Sequence, residues 1–324
     1  MYLIFFVFLY HCIRNMGNIV KECIFESFDD FMKSISYGGD LYGIFCSDFI
    51  FRGESSDKFK LIPSALRDCN KDKVMKLGHC HGFDKNIARI TAEYVILRQF
   101  YYTCDSGNLY VPSCRLRKYP IDDISIFLNR DIWLSEDLYE IAGLAQHYGL
   151  PTRLLDWSQD MYISLYFACI GAMNSIKNNG LMDDDYIVLW ALNAKKIEVD
   201  KSINKVIPMV FVRPPYYGNP NLGAQKGLFT LWEFVTFEHR NNDFVATPLD
   251  VFLQNHAKDD SAILLYKLKL SSKWALNLYC MLSKMGYNAS HVFPGYHGVS
   301  QKISEDMMYN QIVQNLKTKA GRFN

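Results

Sequence analysis

The sequence predicts an α+β fold, a single domain in which flanking helices cover a mixed, mostly antiparallel sheet. Three observations support this prediction. Short apolar and aromatic stretches of strand length alternate with longer stretches of helical character along the 324 residues. No linker rich in proline, glycine or serine divides the chain, and no internal repeat interrupts it. A chain of this length can bury one large core.

The first predicted elements are a helix and a strand. Apolar residues recur at near-helical spacing from Phe25 to Ile35, which is typical of an amphipathic helix. The stretch from Gly43 to Phe51 is short, apolar and aromatic, and it closes at Gly53. It therefore predicts a strand with Arg52 at its C-terminal edge.

Two helices are predicted next. The stretch from Ile87 to Tyr102 has the length and pattern of a helix that carries Glu93. A second helix is expected from an N-cap at Ser135 to Tyr148. It must end there, because Gly149 can adopt the left-handed conformation and Pro151 cannot continue a helix.

The remaining elements alternate between helix and strand. A helix from Met161 to Ile176 is apolar on nearly all sides, so we expect it to be buried. Three further stretches predict strands, and one predicts a helix that ends at Gly286. These are the strands Tyr186 to Leu192, Gly227 to Phe237 and Ala262 to Leu270, and the helix Ser272 to Met285.

Charge and aromatic content limit the function classes. The 35 basic and 34 acidic residues give a net charge of +1, so no global basic field attracts nucleic acid or a membrane. Aromatic residues make up 15% of the chain. A core rich in tyrosine and phenylalanine is the simpler interpretation, and stacking faces for a base or nicotinamide are the alternative.

Cysteine usage favours a cytoplasmic protein with free thiols. Nine cysteines is an odd number, and no Cys-x-x-Cys pair is present. The His79-Cys80-His81 triplet places adjacent ligands without a second cluster, which argues against a metal site.

Residues 1–19 are expected to form an apolar extension. The run from Tyr2 to Tyr10 is too short to span a bilayer, which needs about 20 helical residues, so no membrane span is expected. Arg14 follows the run instead of preceding it, unlike a signal peptide. Because Met16 precedes the first structured segment, we expect the first fifteen residues to reflect an upstream start.

The densest group of polar, charged and turn-forming residues lies between Ala145 and Trp157. An apolar core does not need such a group, so it indicates a functional site. Arg153 within this stretch and Arg52 outside it could each bind a phosphate or carboxylate through paired hydrogen bonds. An equally weighted alternative is that each arginine ties down a carboxylate or a carbonyl-rich turn of the protein, and Asp156 is an obvious partner for Arg153 or Arg52.

The polar residues of this stretch have several possible roles. If residues 152 to 157 are extended, Thr152 and Asp156 share one face and Arg153 lies on the other. His147 could transfer a proton, and its position in the last helical turn favours the charged form. Gln146 could orient a ligand's polar edge through its amide. Alternatively, His147 could hydrogen-bond the terminal carbonyls of the helix and Gln146 the adjoining loop.

Five segments together resemble the FRG domain, a family named for its Phe/Tyr-Arg-Gly motif. They occur in the family's order and cover about residues 20–310, leaving 311–324 as a C-terminal helix end and tail. They are Phe51-Arg52-Gly53-Glu54, Leu61-Ile62-Pro63-Ser64-Ala65-Leu66-Arg67, the block Ala145 to Trp157, Ala224-Gln225-Lys226-Gly227-Leu228-Phe229-Thr230, and Val292-Phe293-Pro294-Gly295-Tyr296-His297-Gly298.

Two positions depart from the family pattern. The family usually has an arginine shortly before the Gln-Gly segment, where Asn221 stands here. The usual acidic turn near the C-terminal end is replaced by Gly295-Tyr296-His297-Gly298. If either position binds ligand, the activity of this chain is altered or weakened.

The resemblance implies one composite site. Its predicted members are the catalytic candidates Arg52, His147, Asp156 and Glu233 and the ligand-binding candidates Gly53, Gln146, Tyr148, Thr152, Arg153 and Gln225. Gly53 is expected to admit a close approach of a ligand to the backbone.

By analogy with ADP-ribosyltransferases, which bind NAD through an early-strand arginine or histidine, the predicted reaction is transfer of ADP-ribose from NAD, in a toxin or defence role. No cofactor is assigned, and NAD is the candidate substrate. This chemistry needs a carboxylate near the ribose and an aromatic wall against nicotinamide. Glu233 or Glu238 could supply the carboxylate, and Tyr148, Tyr216 or Tyr217 the wall.

The competing hypothesis is a non-catalytic module that recognises an anionic small molecule, a nucleotide, a nucleic acid or a protein partner. A metal-dependent nuclease ranks last, because grouped metal ligands are missing from the sequence. The sequence does not specify an oligomeric state.

Overall fold

The computed structural model describes residues 19–45, 48–80, 85–117, 132–181, 185–202, 207–257 and 262–320. Its centre is a seven-stranded sheet with the order β1-β7-β4-β2-β3-β6-β5. The first and last strands of the chain pair in parallel, and all other neighbours are antiparallel. The α+β class with a mixed, mostly antiparallel sheet and flanking helices is therefore confirmed.

The strands are β1 Val20–Phe25, β2 Phe49–Glu54, β3 Leu155–Ser158, β4 Tyr186–Asn193, β5 Val210–Val212, β6 Gly227–Leu231 and β7 Leu265–Ser271. The helices of the described residues are α1 Phe28–Ile35, α2 Asp40–Phe45, α3 Lys71–Gly78, α4 Asn86–Ser106, α5 Tyr139–His147, α6 Met161–Asn179, α7 Ala194–Ser202, α8 Pro220–Ala224, α9 Leu249–His256, α10 Ala275–Lys284, α11 Ala289–Val292 and α12 Tyr296–Ala320.

Helix α6 forms the centre of the layer on one face of the sheet. Alternate residues of β2, β4 and β7 point to this face and pack with α1, α2, α6, α10 and α12 into the largest core cluster. Ile163, Leu165 and Met173 of α6 are fully buried, which confirms the prediction of a buried helix.

The other face of the sheet carries a second cluster. Ile50, Val188 and Leu192 lie on this face and pack with α7 and α9. At the β5–β6 end of the sheet, α4 and α5 pack around Phe229, which points to the face opposite its neighbour Leu228 of the second cluster. Helix α5, which precedes the polar stretch, is thus anchored to the sheet by its own apolar side.

The sheet is incomplete between β2 and β3. These strands pair at one position only, Phe51 with Ser158. By contrast, β2 pairs with β4 along its full length, and β3 pairs with β6 along its full length. Past that single pair the two strands separate, so polar side chains can occupy the space between them.

Several predicted boundaries were wrong for physical reasons. Phe25 belongs to β1, because its backbone pairs with β7, and the helix begins after an N-cap at Ser27. Residues 43–45 end helix α2 instead of starting a strand. The strand at Gly227 ends at Leu231, and Ser135 precedes a 3-10 turn before α5 begins at Tyr139.

Other expectations concern the chain as a whole. No helix among the described residues is long and apolar enough to cross a membrane. The seven cysteines in the described ranges are all free thiols. The predicted apolar extension lies, apart from Ile19, outside the described residues.

Candidate functional site

The polar stretch begins where α5 ends. The φ of +86° at Gly149 is in the left-handed region, which confirms the predicted helix stop. The amide of Leu150 donates to the carbonyl of Ala145 at 2.9 Å, and the amide of Gly149 donates to that of Gln146 at 3.0 Å. These two bonds form a Schellman closure, which fixes the direction in which the chain enters β3.

Arg52 lies in the space between β2 and β3. Its Nη1 donates to the backbone carbonyl of Asp156 at 3.0 Å and lies 3.4 Å from the Asp156 Oδ2 atom. Its Nε and Nη2 reach Glu54 Oε1 at 2.8 and 2.7 Å. A guanidinium therefore takes the place of a strand partner, and it holds Asp156 in position.

The pKa of Arg52 reflects this arrangement. Burial alone would lower the pKa of the guanidinium, but Glu54 and Asp156 raise it above its ordinary value. The side chain of Arg52 is only 14% exposed, whereas that of Asp156 is 47% exposed. The carboxylate, and not the arginine, is the group that solvent or a ligand can reach.

Gln146 connects Asp156 with Thr152 and with the Leu61–Arg67 segment. Its Nε2 donates to Asp156 Oδ2 at 3.0 Å. Its Oε1 accepts from the Thr152 hydroxyl at 2.9 Å and from the Ser64 hydroxyl at 3.0 Å. Residues that are distant in the sequence thus meet around one amide, and Asp156 receives hydrogen bonds from two sides.

His147 differs from its prediction. Burial lowers the pKa of its imidazole, and the nearby Asp156 only partly offsets this. The expectation that the charged form is favoured was therefore wrong, because burial of the ring disfavours its charged form. The neutral ring, which can accept a proton, is the favoured state.

Exposed tyrosines lie beside this cluster. Tyr148 is 56% exposed, and its ring contacts that of His147 with a centroid distance of 5.2 Å. The Tyr148 hydroxyl donates to Asn219 Oδ1 at 3.3 Å, which brings the loop of Tyr216 and Tyr217 to the same side. Both loop tyrosines are exposed, at 44% and 91%.

Arg153 is not part of the exposed cluster. Its side chain is 1% exposed, and it donates to both carboxylate oxygens of Glu93 at 2.6 Å. Its third contact is the carbonyl of Glu233 at 2.7 Å. Arg153 lies at a bend before β3 begins at Leu155, and the geometry assigns its side chain to the interior instead of a ligand.

Gly53 and Gln225 also contact the protein itself. A Cβ atom at Gly53 would lie 1.8 Å from the carbonyl oxygen of Ser164, so the close backbone approach there is made by helix α6 and not by a ligand. The side-chain amide of Gln225 donates to the carbonyl of Val292 at 3.3 Å.

The predicted carboxylates of the late strand lie elsewhere. Glu233 follows β6 and accepts a hydrogen bond from the amide of Thr247 at 2.7 Å. Burial raises the pKa of its carboxyl, and the hydrogen bond from Thr247 and the charge of Arg153 partly offset that rise. Glu238 is exposed on a 3-10 turn. Asp156 is the carboxylate that combines exposure with fixed orientation.

Sequence reasoning missed three participants: Glu54, Ser64 and Glu93. Glu54 and Ser64 lie within the family-like segments, and Glu54 is two residues from Arg52, so on a strand the two share one face. Glu93 lies on α4 three and four residues from the buried Ile90 and Leu97. A charge on such an apolar face requires a buried partner, and this signal could have indicated Arg153.

The cluster of Arg52, Glu54 and Asp156 contains one guanidinium and two carboxylates, so its formal charge is −1. Such a site attracts hydroxyl groups and cationic atoms more than phosphate. No group of three metal-ligating side chains is present in the part of the chain that the structure describes.

A family model described as the FRG domain matches residues 121–176. The matched range includes α5, β3 and most of α6, and with them Gln146, His147, Thr152 and Asp156. The predicted family is confirmed over this range. No curated protein and no solved structure was found to match the chain significantly.

Proposed function

We propose that the FRG-type region forms an NAD-dependent ADP-ribosyltransferase site with Asp156 at its centre. The observation that carries the proposal is the half-exposed Asp156 carboxylate, which Arg52 and Gln146 orient from two sides. Fixed charges of this kind stabilise charge that develops in a transition state, because they need no reorganisation during the reaction.

The reaction breaks the bond between the ribose C1′ atom and the nicotinamide nitrogen. The electron pair of this bond stays with nicotinamide, which leaves as a neutral molecule. A nucleophile of the acceptor, or water, forms the new bond to C1′ and loses a proton. Asp156 faces the positive charge that develops at the ribose.

The neighbours of Asp156 have complementary roles in this proposal. The neutral His147 imidazole is suited to accept the proton from the attacking nucleophile. The exposed ring of Tyr148 offers a flat surface on which the nicotinamide ring can stack. The net charge of −1 in the Arg52 cluster favours the cationic nicotinamide end, so the phosphates of NAD lie away from it.

The direct test is nicotinamide release from NAD, measured for the wild type and for Asp156→Asn. We expect the amide to lower release about 100-fold, a typical loss when one electrostatic contact to a transition state is removed. Asp29→Asn is the matched control, because Asp29 is exposed on α1, which packs beside β1 at the edge of the sheet, away from β3.

Absence of nicotinamide release by the wild type, with candidate protein and nucleic-acid acceptors present, would overturn the transferase proposal. Saturable binding of NAD or a mononucleotide without release would instead favour the binding module. One observation supports the binding module: Arg52 forms its hydrogen bonds within the protein. A ligand would then be recognised by Asp156 and the exposed tyrosines.

A further inference from the structure

Ser64 belongs to the Leu61–Arg67 segment, which has no role in the proposed reaction so far. Its hydroxyl donates to Gln146 Oε1 at 3.0 Å, with the carbonyl of Thr152 as a second acceptor at 3.3 Å. A backbone bond ties the segment to the same turn, because the amide of Ala65 donates to the Thr152 carbonyl at 3.0 Å. The segment therefore holds the end of α5 and the turn before β3 together.

Thr152 determines which end of the Gln146 amide faces this turn. The backbone N–H of Thr152 is shared between Ser64 Oγ and Gln146 Oε1, each at 3.2 Å. A backbone N–H can only donate, so the amide atom that it meets must be the oxygen. The Thr152 hydroxyl accepts from the amide of Leu154 at 3.2 Å and donates to the same oxygen at 2.9 Å. Three donors thus surround Oε1.

The other end of the amide is directed to Asp156. Gln146 Nε2 donates to Asp156 Oδ2 at 3.0 Å. In the reverse orientation the amide oxygen would face the carboxylate and the amide nitrogen would face the Thr152 N–H, so both contacts would become repulsive. The orientation that stabilises Asp156 is therefore selected on the far side of the amide, by Thr152 and Ser64.

We propose that Ser64 is a positioning residue for the transferase reaction and that it acts on Asp156 through the Gln146 amide. This inference rests on the proposed function, in which Asp156 faces the positive charge that develops at the ribose. A carboxylate that is held in one orientation before the reaction stabilises this charge without reorganisation. The whole amide separates Ser64 from Asp156, so loss of the Ser64 hydroxyl should affect the reaction step and not substrate binding.

The kinetic test is nicotinamide release by Ser64→Ala, Gln146→Leu and the double variant. Ser64→Ala should lower kcat about 10-fold with KM unchanged, the effect of one neutral hydrogen bond. Gln146→Leu should lower kcat about 30-fold, because its amide bonds to a charged group. The double variant should match Gln146→Leu, because Ser64 acts through the amide that is then missing.

Ser304→Ala is the matched control for the kinetic test. Its hydroxyl is exposed and bonds only to the carbonyl of Ser300 within α12, so nicotinamide release should equal that of the wild type. Losses of Ser64→Ala and Gln146→Leu that multiply in the double variant would overturn the proposal. A Ser64→Ala protein that changes KM alone would overturn it equally.

A measurement without substrate separates the role of Ser64 from the reaction itself. In protein that carries isotope-labelled glutamine, NMR relaxation of the Gln146 side-chain amide should give an order parameter of about 0.85 in the wild type and below about 0.6 in Ser64→Ala. A mobile amide in the wild type, or an amide that stays rigid in Ser64→Ala, would overturn the positioning role. A rigid amide in a wild type that releases no nicotinamide would contradict the transferase reaction alone.

Discussion

Two neighbouring residues of one segment, Arg153 and Asp156, have opposite roles. Arg153 is sealed between Glu93 and the Glu233 carbonyl, whereas Asp156 is half exposed and held by two side chains. The sequence placed both in one ligand site. Arg153 lies at a bend before β3, and the burial of its side chain depends on Glu93 of α4, which is 60 residues away in the sequence.

The buried ion pair leads to a stability prediction. Arg153→Met leaves Glu93 as an unpaired buried charge and should lower the free energy of unfolding by about 3–5 kcal/mol, measured in urea. The double variant Arg153→Met/Glu93→Gln should recover part of this loss, because the uncompensated charge is gone. Equal stability of the single and double variants would contradict the assignment.

A surface pair provides the control for this series. Arg213 and Glu198 are 2.8 Å apart with side chains 49% and 47% exposed. Exposed pairs contribute little, because water and salt screen them. Arg213→Met should therefore leave the unfolding midpoint nearly unchanged.

The lowered pKa of His147 predicts a pH dependence. Below its ordinary pKa of 6.5 the unfolded chain binds a proton more readily than the folded one, so acidification costs stability. The melting temperature of His147→Gln should therefore fall less than that of the wild type between about pH 7.5 and 5.5. His239→Gln, an exposed site, should follow the wild type, and identical pH profiles for all three proteins would contradict the burial effect.

Gly53 allows strand β2 to pack closely against helix α6. Gly53→Ala would place a methyl group 1.8 Å from the Ser164 carbonyl, a distance that forces the helix and strand apart. We expect a loss of several kcal/mol, or no folded protein, in chemical denaturation. Gly43→Ala is the matched control, since nothing lies within 4 Å of the position that its methyl group would take, and a stable Gly53→Ala protein would contradict the packing role.

Helix α12 is attached to the core by a buried carboxyl. Glu305 Oε1 accepts from the Tyr166 hydroxyl at 2.6 Å and from Gln301 at 3.0 Å. Burial raises the pKa of this carboxyl above its ordinary value of 4.5. Its stabilising effect is therefore complete below pH 4.5 and is lost as the pH rises through the raised pKa.

Glu305→Gln tests this linkage. Glutamine keeps an acceptor for Tyr166 and carries no charge. Because the wild type loses stability as Glu305 ionises, the stability of the variant relative to the wild type should increase from about pH 4 to pH 8. The measurement is the unfolding midpoint in urea at each pH. A difference that stays constant over this range would show that Glu305 does not titrate with an altered pKa.

The sequence was informative where local rules decide the structure. The helix stop at Gly149 and the buried helix α6 follow from residue type and periodicity, and both were predicted. The strands β1 and β5 were missed, since β1 is defined by its pairing with β7, some 245 residues later, and β5 has only three residues. The ladder between β2 and β3 ends after one pair for reasons that no local pattern reveals.

For the whole molecule, the central feature is that separation of β2 and β3. It allows Arg52 to reach Asp156, and the Leu61–Arg67 segment reaches Gln146 through Ser64. Three family-like segments thus meet at one place, as the resemblance implied. The segment of Gln225 adjoins them through the pairing of β6 with β3, but the Gln225 side chain itself donates to α11.

The most direct measurement of the proposed site is a crystal structure of the protein soaked with NAD, together with the NAD affinity of Asp156→Asn. We predict that the nicotinamide ribose lies against the Asp156 carboxylate with the ring on Tyr148, and that the variant binds or turns over NAD less well. Density for NAD at a distant surface, or a variant with unchanged affinity and nicotinamide release, would contradict the account.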